Sequence, residues 1–372
     1  MTKARFIYDS AYKNADLYYA TRFTTFDPLV YFEYKNKKYL IVDDLEYDRA
    51  KKYAKADEVL LASRYRKELE LRKGNVIEIM DIILNKLGIK TLEVPPNFPL
   101  SLAEKFKSKK YKLSIGTTPF YPSRVRKEPF EKKALIEIQK NNFRFFALVE
   151  KTLRQSKIKG NKLYFKNKPL TSEFLKELVY IEALRLGCEM PYEPIIACGE
   201  YSIDPHESGR GIIKPHEAII VDIFPKSKRT FYFGDATRTF CRGKAPEKLK
   251  KLYLTVKKGQ EMAIASIKSG INGKKIHEKV INFFESQGYK TGEMGGRLQG
   301  FIHGTGHGIG LELHETPSIN RSDCKLKEGH VTSVEPGLYY KNIGGVRIED
   351  LVYVTKNGCE ILSGYPKRLE IL

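Results

Sequence analysis

The thirteen residues from His303 to Glu315, HGTGHGIGLELHE, constrain this 372-residue chain more than any other stretch. Three of its seven histidines, His303, His307 and His314, fall there, separated by Gly304, Gly306, Gly308 and Gly310. Glycine lets backbone and side chains crowd together, and imidazole both binds divalent cations and moves protons near neutral pH. Taken alone, such a loop serves equally well as a tight turn that happens to hold histidines. The strands that flank it decide the matter.

Four runs read as half-buried strands: AIIVDIF (218–224), RTFYFGDAT (229–237), HVTSVEP (330–336) and GGVRIEDLVYV (344–354). They form two hairpins. Symmetric folding about Lys228 and Arg229 sets Asp222 opposite Asp235 and Phe224 opposite Phe233; symmetric folding about Asn342 sets Glu335 opposite Glu349. Like charges about 5 Å apart on a sheet destabilise it unless a proton or a cation sits between them. Four carboxylates and one imidazole make a hard, oxygen-rich site, suited to Mn²⁺, Co²⁺, Fe²⁺ or Zn²⁺ and not to a thiolate-type metal. That much negative charge suits two divalent ions better than one.

The rest of the chain sets the frame. Its length suits two domains, and 41% hydrophobic with 30% charged residues is the composition of a globular protein. No apolar run reaches the roughly 18 residues that cross a bilayer, and MTKARFIYDS lacks the apolar core of a signal peptide. The expectation is a cytoplasmic protein without membrane contact. Cys188, Cys198, Cys241, Cys324 and Cys359 include no C-x-x-C pair and read as reduced thiols. The net charge of +21 is spread along the chain, and its densest clusters, KNKK (35–38) and KSKK (107–110), are short and sit at turns. This argues for a solvated lysine-rich surface over a nucleic-acid face.

In the first third, RFIY (5–8), LVYFEY (29–34), YLIVDD (39–44), EVLLAS (58–63) and TLEV (91–94) read as strands, with a hairpin turning at Lys35 to Lys38. NVIEIMDIILNKLG (75–88) reads as an amphipathic helix stopped by Gly88. The sheet should be mixed. Pro119, Pro122 and Pro129, set among basic residues, mark a linker, which places the domains at 1–124 and 125–372. Beyond it helices are expected over 130–155, from the cap Thr171 to Leu186, over Pro246–Lys268 and over Gly273–Gln287. His277, on a lysine-rich helix, reads as solvated; His216 and His330 receive no role.

The motifs VDIF with Asp222, GDATRTF with Asp235, HGTGHGIG with His307, SVEPG with Glu335 and GGVRIED with Glu349 resemble those of the pita-bread metallopeptidases, peptidase family M24. That group includes methionine aminopeptidase, Xaa-Pro aminopeptidase and Xaa-Pro dipeptidase (prolidase). The likeness runs from about Glu128 onward, and NADLYYATRF (14–23) is similar to a signature of the creatinase-type domain that precedes the catalytic domain in proline-specific members. The resemblance implies an α/β (α+β) architecture, a creatinase-type mixed domain followed by a pita-bread catalytic domain. It implies two divalent metal ions, manganese favoured and cobalt, zinc or iron compatible. Asp222 would hold the first, Asp235 and Glu349 would bridge, and His307 with Glu335 would hold the second. Glu335 would also accept the proton of the attacking water, with His206, His303 and His314 contacting substrate and steadying the intermediate, and Arg347 beside the acids.

As implied partners it gives peptides with proline at the second position and a second copy of the chain in a homodimer. A creatinase-like hydrolase and a non-catalytic binding module share the fold, and the intact ligand set argues against both. Two departures stand out. Phe224 and Pro225 follow Asp222 where the family usually has glycine two residues on, and the Asp222 to Asp235 spacing is two residues longer than usual, which a longer turn at KSKR would absorb. Archaeal-type prolidases carry an arginine after HExP to clamp a dipeptide's carboxylate; here Ser318 follows HETP, with Arg321 three residues on. The expectation is an Xaa-Pro aminopeptidase, with prolidase as the alternative.

Overall fold

Short β-prone apolar runs in the first third produce, among the described residues, six strands: β1 (Ala4–Asp9), β2 (Leu29–Tyr34), β3 (Lys37–Val42), β4 (Glu58–Leu61), β5 (Thr91–Val94) and β6 (Lys112–Ile115). The structure, a computed structural model, describes residues 3–70, 76–362 and 364–372. They divide into two compact units, one ending at Arg124 and the other beginning at Val125. In the first, the strands order as β4-β3-β2-β1-β5-β6. The β1–β2 and β2–β3 pairs are antiparallel and the other three parallel, so the sheet is mixed. The hairpin turns on two residues only, Lys35 and Asn36, both at positive φ, with Tyr34 opposite Lys37.

Among the described residues, five helices accompany this sheet: α1 (Ala15–Thr21), α2 (Tyr47–Tyr53), α3 (Ala62–Glu68), α4 (Val76–Lys86) and α5 (Leu100–Ser108). α4 buries Ile77, Met80, Ile83 and Leu84 against Phe6 and Phe32 of the sheet; its expected first residue, Asn75, lies outside the described residues. Fully burying each such side chain contributes about 1.5–3 kcal/mol. The short helices α1 to α3 and α5, and β6, were not anticipated, because seven to nine residues carry too few turns for a periodicity to show.

The proline-containing segment is packed and not a loose linker. Phe120 and Tyr121 belong to the first unit's core, and both donate backbone N–H groups to Asp16. Arg124 lies 3.1 Å from the same carboxylate. Further on, Lys127 donates its backbone N–H to Gly329 of the second unit.

The second unit holds α6 (Pro129–Gln155), α7 (Ser172–Arg185), α8 (Glu247–Ser266) and α9 (Gly273–Ser286). One sheet consists of β7 (Ile195–Cys198), β8 (Ile219–Ile223), β9 (Ala236–Arg242) and a last strand, Glu370–Ile371, in that order. Ile219, Val221 and Ile223 pack with Ile138, Phe145 and Phe146 of α6 and Leu175 and Val179 of α7. By the period of two, Ile220 and Asp222 occupy the opposite face. A second sheet is built from β10 (Gly306–Gly308), β11 (Glu315–Ile319), β12 (Val331–Val334), β15 (Asp350–Val354) and Cys359–Ile361, ordered with β11 at one edge and then β10, β12, β15. The ribbon of β13 (Gly337–Tyr340) and β14 (Gly344–Arg347) continues the β12–β15 hairpin. Val334, Val352 and Val354 pack against Val256 of α8 and Val280 and Phe284 of α9.

Candidate metal centre

Each hairpin brings two carboxylates inward, but their registers differ from each other. In the first, Asp222 pairs with Thr237, Ile223 with Ala236 and Lys226 with Phe233. The fold axis therefore lies one residue later than symmetry about Lys228 and Arg229 predicts. Asp222 faces Thr237, and continuing the ladder sets Phe224, not Asp222, opposite Asp235. The turn accounts for the shift: Phe231 adopts a left-handed φ of 64, Ser227 donates to the Tyr232 carbonyl, and the buried Phe231 and Phe233 rings lie under the Lys226 ammonium. A slip of two partners preserves the face, so Asp222 and Asp235 remain diagonal neighbours on it. In the second hairpin, Val334–Asp350 and Gly337–Arg347 bracket Glu335 and Glu349 in the predicted register. Both glutamates leave the ladder there: Glu335 donates its N–H to the Thr305 carbonyl, and Glu349 donates to that of Thr237 in β9. The second bond ties the two sheets together.

Ligating atoms of Asp235, His307 and Glu349 lie within 4.8 Å of one another. His307 Nε2 is 3.6 Å from Asp235 and 3.3 Å from Glu335. Its Nδ1 lies 3.1 Å from the Gly308 carbonyl, which can only accept, so Nδ1 carries the proton and the Nε2 lone pair points into the space between the acids. Burial holds the ring neutral by pushing its pKa down. Burial pushes Asp235 and Glu349 well above the carboxylate range, aided by the charges of the neighbouring acids, and Glu335 up to about 7. Asp222 Oδ1 and Glu349 Oε1 are buried without a hydrogen-bond partner. Orphaned buried carboxylate oxygens are costly; opposed acids with open lone pairs beside a neutral imidazole are the donor set that divalent cations require.

A frame of neutral and cationic donors fixes these acids. Thr237 donates its hydroxyl to Glu349 (2.8 Å), Ser333 donates to Glu335 (3.2 Å), and Gln139 of α6 brackets Asp235 through both its backbone N–H and its carbonyl. Arg347 donates to the second oxygen of Asp222 at 2.6 Å and to the Tyr339 oxygen at 2.7 Å. Because arginine only donates, the Tyr339 proton must go to His303 Nε2, 2.8 Å away, while His303 Nδ1 donates to the Gly304 carbonyl. His303 is thus a neutral ring with both nitrogens engaged, its pKa pushed down to about 3 by burial and by Arg347. A Cβ at Gly337 would lie 2.5 Å from the Tyr339 oxygen and 3.0 Å from His303 Nε2, which explains the glycine of SVEPG. Behind the site, Arg238 donates to the Glu349 carbonyl and pairs with Asp350 at 2.7 Å.

The family described as Metallopeptidase family M24 matches residues 155–356, more than half of the chain. The chain belongs to metallopeptidase family M24. The Creatinase/Prolidase N-terminal domain matches residues 11–125. The Xaa-Pro dipeptidase of Pyrococcus horikoshii is 37% identical over 186 residues, 49% of this chain and 50% of that protein. The chain thus spans about half the length of the curated relatives it matches. Among solved structures, the X-Pro aminopeptidase of Thermotoga maritima superposes with a TM-score of 0.84 at 25% identity, covering 100% of this chain and 98% of that one. The prolidase of Pyrococcus horikoshii gives 0.80 at 27% identity, covering 99% and 95%. The fold of this M24 chain is therefore the pita-bread domain preceded by a creatinase-type domain.

The remaining histidines separate clearly. The His314 ring stands 4.3 Å from that of His307, nearly perpendicular to it, and His314 is exposed. His206 is also exposed, and burial, aided by the neighbouring His307, pushes the His314 pKa down. His277 is not solvated, contrary to expectation: it is 2% exposed, with Nδ1 2.9 Å from the Thr305 hydroxyl. His330 is buried, its Nδ1 accepting from the Lys327 N–H, and His216 is exposed in a left-handed turn. The five cysteines are free thiols, three of them buried. Tyr339, Thr237 and Gln139 went unanticipated. Only Gln139 carried a sequence signal, as a polar residue inside the apolar stripe of α6 beside Leu135, Ile138 and Phe146.

Proposed function

We propose that this chain is a metal-dependent exopeptidase that cleaves after the first residue of peptides with proline in the second position. The observation that supports it most is the cluster of buried Asp222, Asp235 and Glu349 with half-buried His307 and Glu335 in an M24 chain, with two carboxylate oxygens left without protein partners. Asp222, Asp235 and Glu349 would hold one divalent ion, and Asp235, Glu349, His307 and Glu335 a second. When bound, the ions supply a polarised scissile carbonyl and a water acidic enough to attack at neutral pH. Glu335 accepts the proton, its carboxylate aimed by Ser333. Arg347 fixes Asp222 and, through Tyr339, the tautomer of His303. His206 and His314, both exposed, are free to meet the peptide. The family resemblance further supports manganese, a homodimer and a cytoplasmic setting.

Aminopeptidase action on longer peptides is favoured over dipeptide cleavage. Ser318 lies directly opposite His307 in the β10–β11 pair, so this position offers a hydroxyl and not a guanidinium to a dipeptide's carboxylate. Arg321 is exposed and its charge acts on His277. A desolvated carboxylate without a cation is costly. The prolidase reading stays open because the Pyrococcus horikoshii relative is named for dipeptide cleavage. Metal-loaded protein should cleave Xaa-Pro-Yaa peptides with higher kcat/KM than Xaa-Pro dipeptides. Equal or faster dipeptide cleavage, abolished in Arg321→Ala, would make it a prolidase with a displaced clamp.

A further inference from the structure

Phe224 stands where a hydrophobic ring has the most influence on substrate. It follows Asp222 by two residues, which in extended chain keeps both on one face. Across the hairpin, the Ile223–Ala236 and Lys226–Phe233 pairs bracket it, and the Gly234 N–H to Pro225 carbonyl bond holds that register to the end of the hairpin. Phe224 therefore faces Asp235. Phe224 thus has two of the acids as sheet neighbours, Asp222 two residues back on its own segment and Asp235 across the hairpin. Ile195 of β7 sits directly opposite Asp222 and adds to the same face.

The Phe224 ring is half-buried against Ile195, Ala197, Ile220 and Tyr339, with Ile302 and Tyr201 packed on the same group. Tyr192 lies 6.3 Å from it, tilted, and is 57% exposed. This apolar group is half-open to solvent at Phe224 and Tyr192 and shares its sheet face with Asp222. Tyr339 of this group holds Arg347 and His303 through its hydroxyl, and His307 and His314 are in ring contact with each other.

In an exopeptidase, the side chain of the residue before the scissile bond starts two bonds from the carbonyl that must lie against the acids. The apolar group around Phe224 lies on the sheet face that carries Asp222. We infer that Phe224, backed by Ile195 and Tyr192, is a specificity-determining residue that selects peptides whose first side chain is large and apolar. This rests on the function proposed above. An aliphatic side chain on such a wall gains by the area it removes from water, whereas glycine gains nothing and a charged side chain must shed water beside an aromatic face.

The test compares Leu-Pro-Yaa, Gly-Pro-Yaa and Asp-Pro-Yaa peptides on the full chain loaded with Mn²⁺. Wild-type protein should prefer leucine over glycine at least tenfold in kcat/KM, with aspartate poorest. In Phe224→Gly the leucine-to-glycine ratio should fall about tenfold, a ratio that a general loss of activity cannot mimic. Tyr192→Ala, a change at a largely exposed ring, should lower the same ratio by a smaller factor and guards against a folding defect in the first variant. An unchanged ratio in both variants overturns the inference, as does a rise, which would make the ring a barrier. The same peptides titrated by calorimetry give a second readout. If no Xaa-Pro peptide is cleaved, the proposed activity fails by itself, and leucine-over-glycine preference in binding, lost in Phe224→Gly, still decides the pocket; equal binding overturns it.

Discussion

Replacing Lys127 by methionine tests how firmly the loop carrying His314 is anchored. The Lys127 ammonium lies 2.6 Å from Glu315, with side chains 2% and 3% exposed. The other Glu315 oxygen accepts the Glu312 N–H at 3.1 Å, so this one carboxylate closes the loop behind His314. Space is tight: a Cβ on Gly310 would lie 2.6 Å from the Lys127 nitrogen. Methionine keeps the length and the apolar stem but leaves a buried carboxylate facing a thioether. Removing one partner of a buried ion pair costs about 3–5 kcal/mol, whereas replacing both with apolar groups is often nearly neutral. For a folding unit of this size about 1 kcal/mol shifts Tm by roughly 2–4 °C, so Lys127→Met should melt on the order of 10 °C lower. The double variant Lys127→Met/Glu315→Met should recover at least half of that loss. Urea titration and calorimetry of the full chain measure both. A loss under about 1 kcal/mol in the single variant, with no recovery in the double, would refute the reasoning, because it would mean that the pair is solvated and its charges pay no desolvation cost.

Three further outcomes follow from the site and its surroundings. Stripping divalent metal with a chelator should lower the Tm of the second unit, because opposed carboxylates lose the cations between them; an identical melting curve after verified metal removal counts against the metal reading. Glu335→Gln should bind metal yet lose turnover by a factor of at least about 10², within the range assigned to a general base; near-normal activity in the metal-loaded variant moves the base elsewhere. His277 and His330 are pushed down to about 4, mainly by burial. The unfolded chain, with histidine near 6.5, binds protons first, so stability is full above that pH and falls as the pH drops towards 4. Each should contribute a loss of about 2 kcal/mol by pH 5, and His277→Gln should remove its share of the slope; an unchanged slope would show that this ring is not titrating in the unfolding reaction.

What could be read from the sequence was whatever depends on residue type and period. The helices α6 to α9 fall within a residue or two of their expected ends, because Leu135, Ile138, Phe145 and Val149, or Leu252, Val256 and Ala263, mark one face unambiguously. The mixed first sheet and the Glu335–Glu349 register were legible for the same reason. The first hairpin was misplaced because its register depends on Phe231 and Phe233 finding burial and on one left-handed residue at the tip, neither of which symmetry can foresee. RTFYFGDAT accordingly becomes strand only from Ala236. His277 was misread by weighing its lysine neighbours over its spacing: with Gly273, Val280 and Phe284 it lies on the buried stripe of α9. Tyr339 and Thr237 could not be found, since what makes them matter is a partner in another strand.

The Thr237–Glu349 hydrogen bond and the Arg238–Asp350 ion pair each join residues 112 apart in sequence. Closing a loop of that length costs roughly 4 kcal/mol by the logarithmic law of chain entropy, and contacts of such high order form late. During folding the chain therefore offers two incomplete half-sites, Asp222 with Asp235 on one hairpin and Glu335 with Glu349 on the other, long before it offers one complete site. A complete divalent-ion site is thereby tied to the final docking of the two sheets, so any opening that parts the sheets dismantles the whole donor set at once.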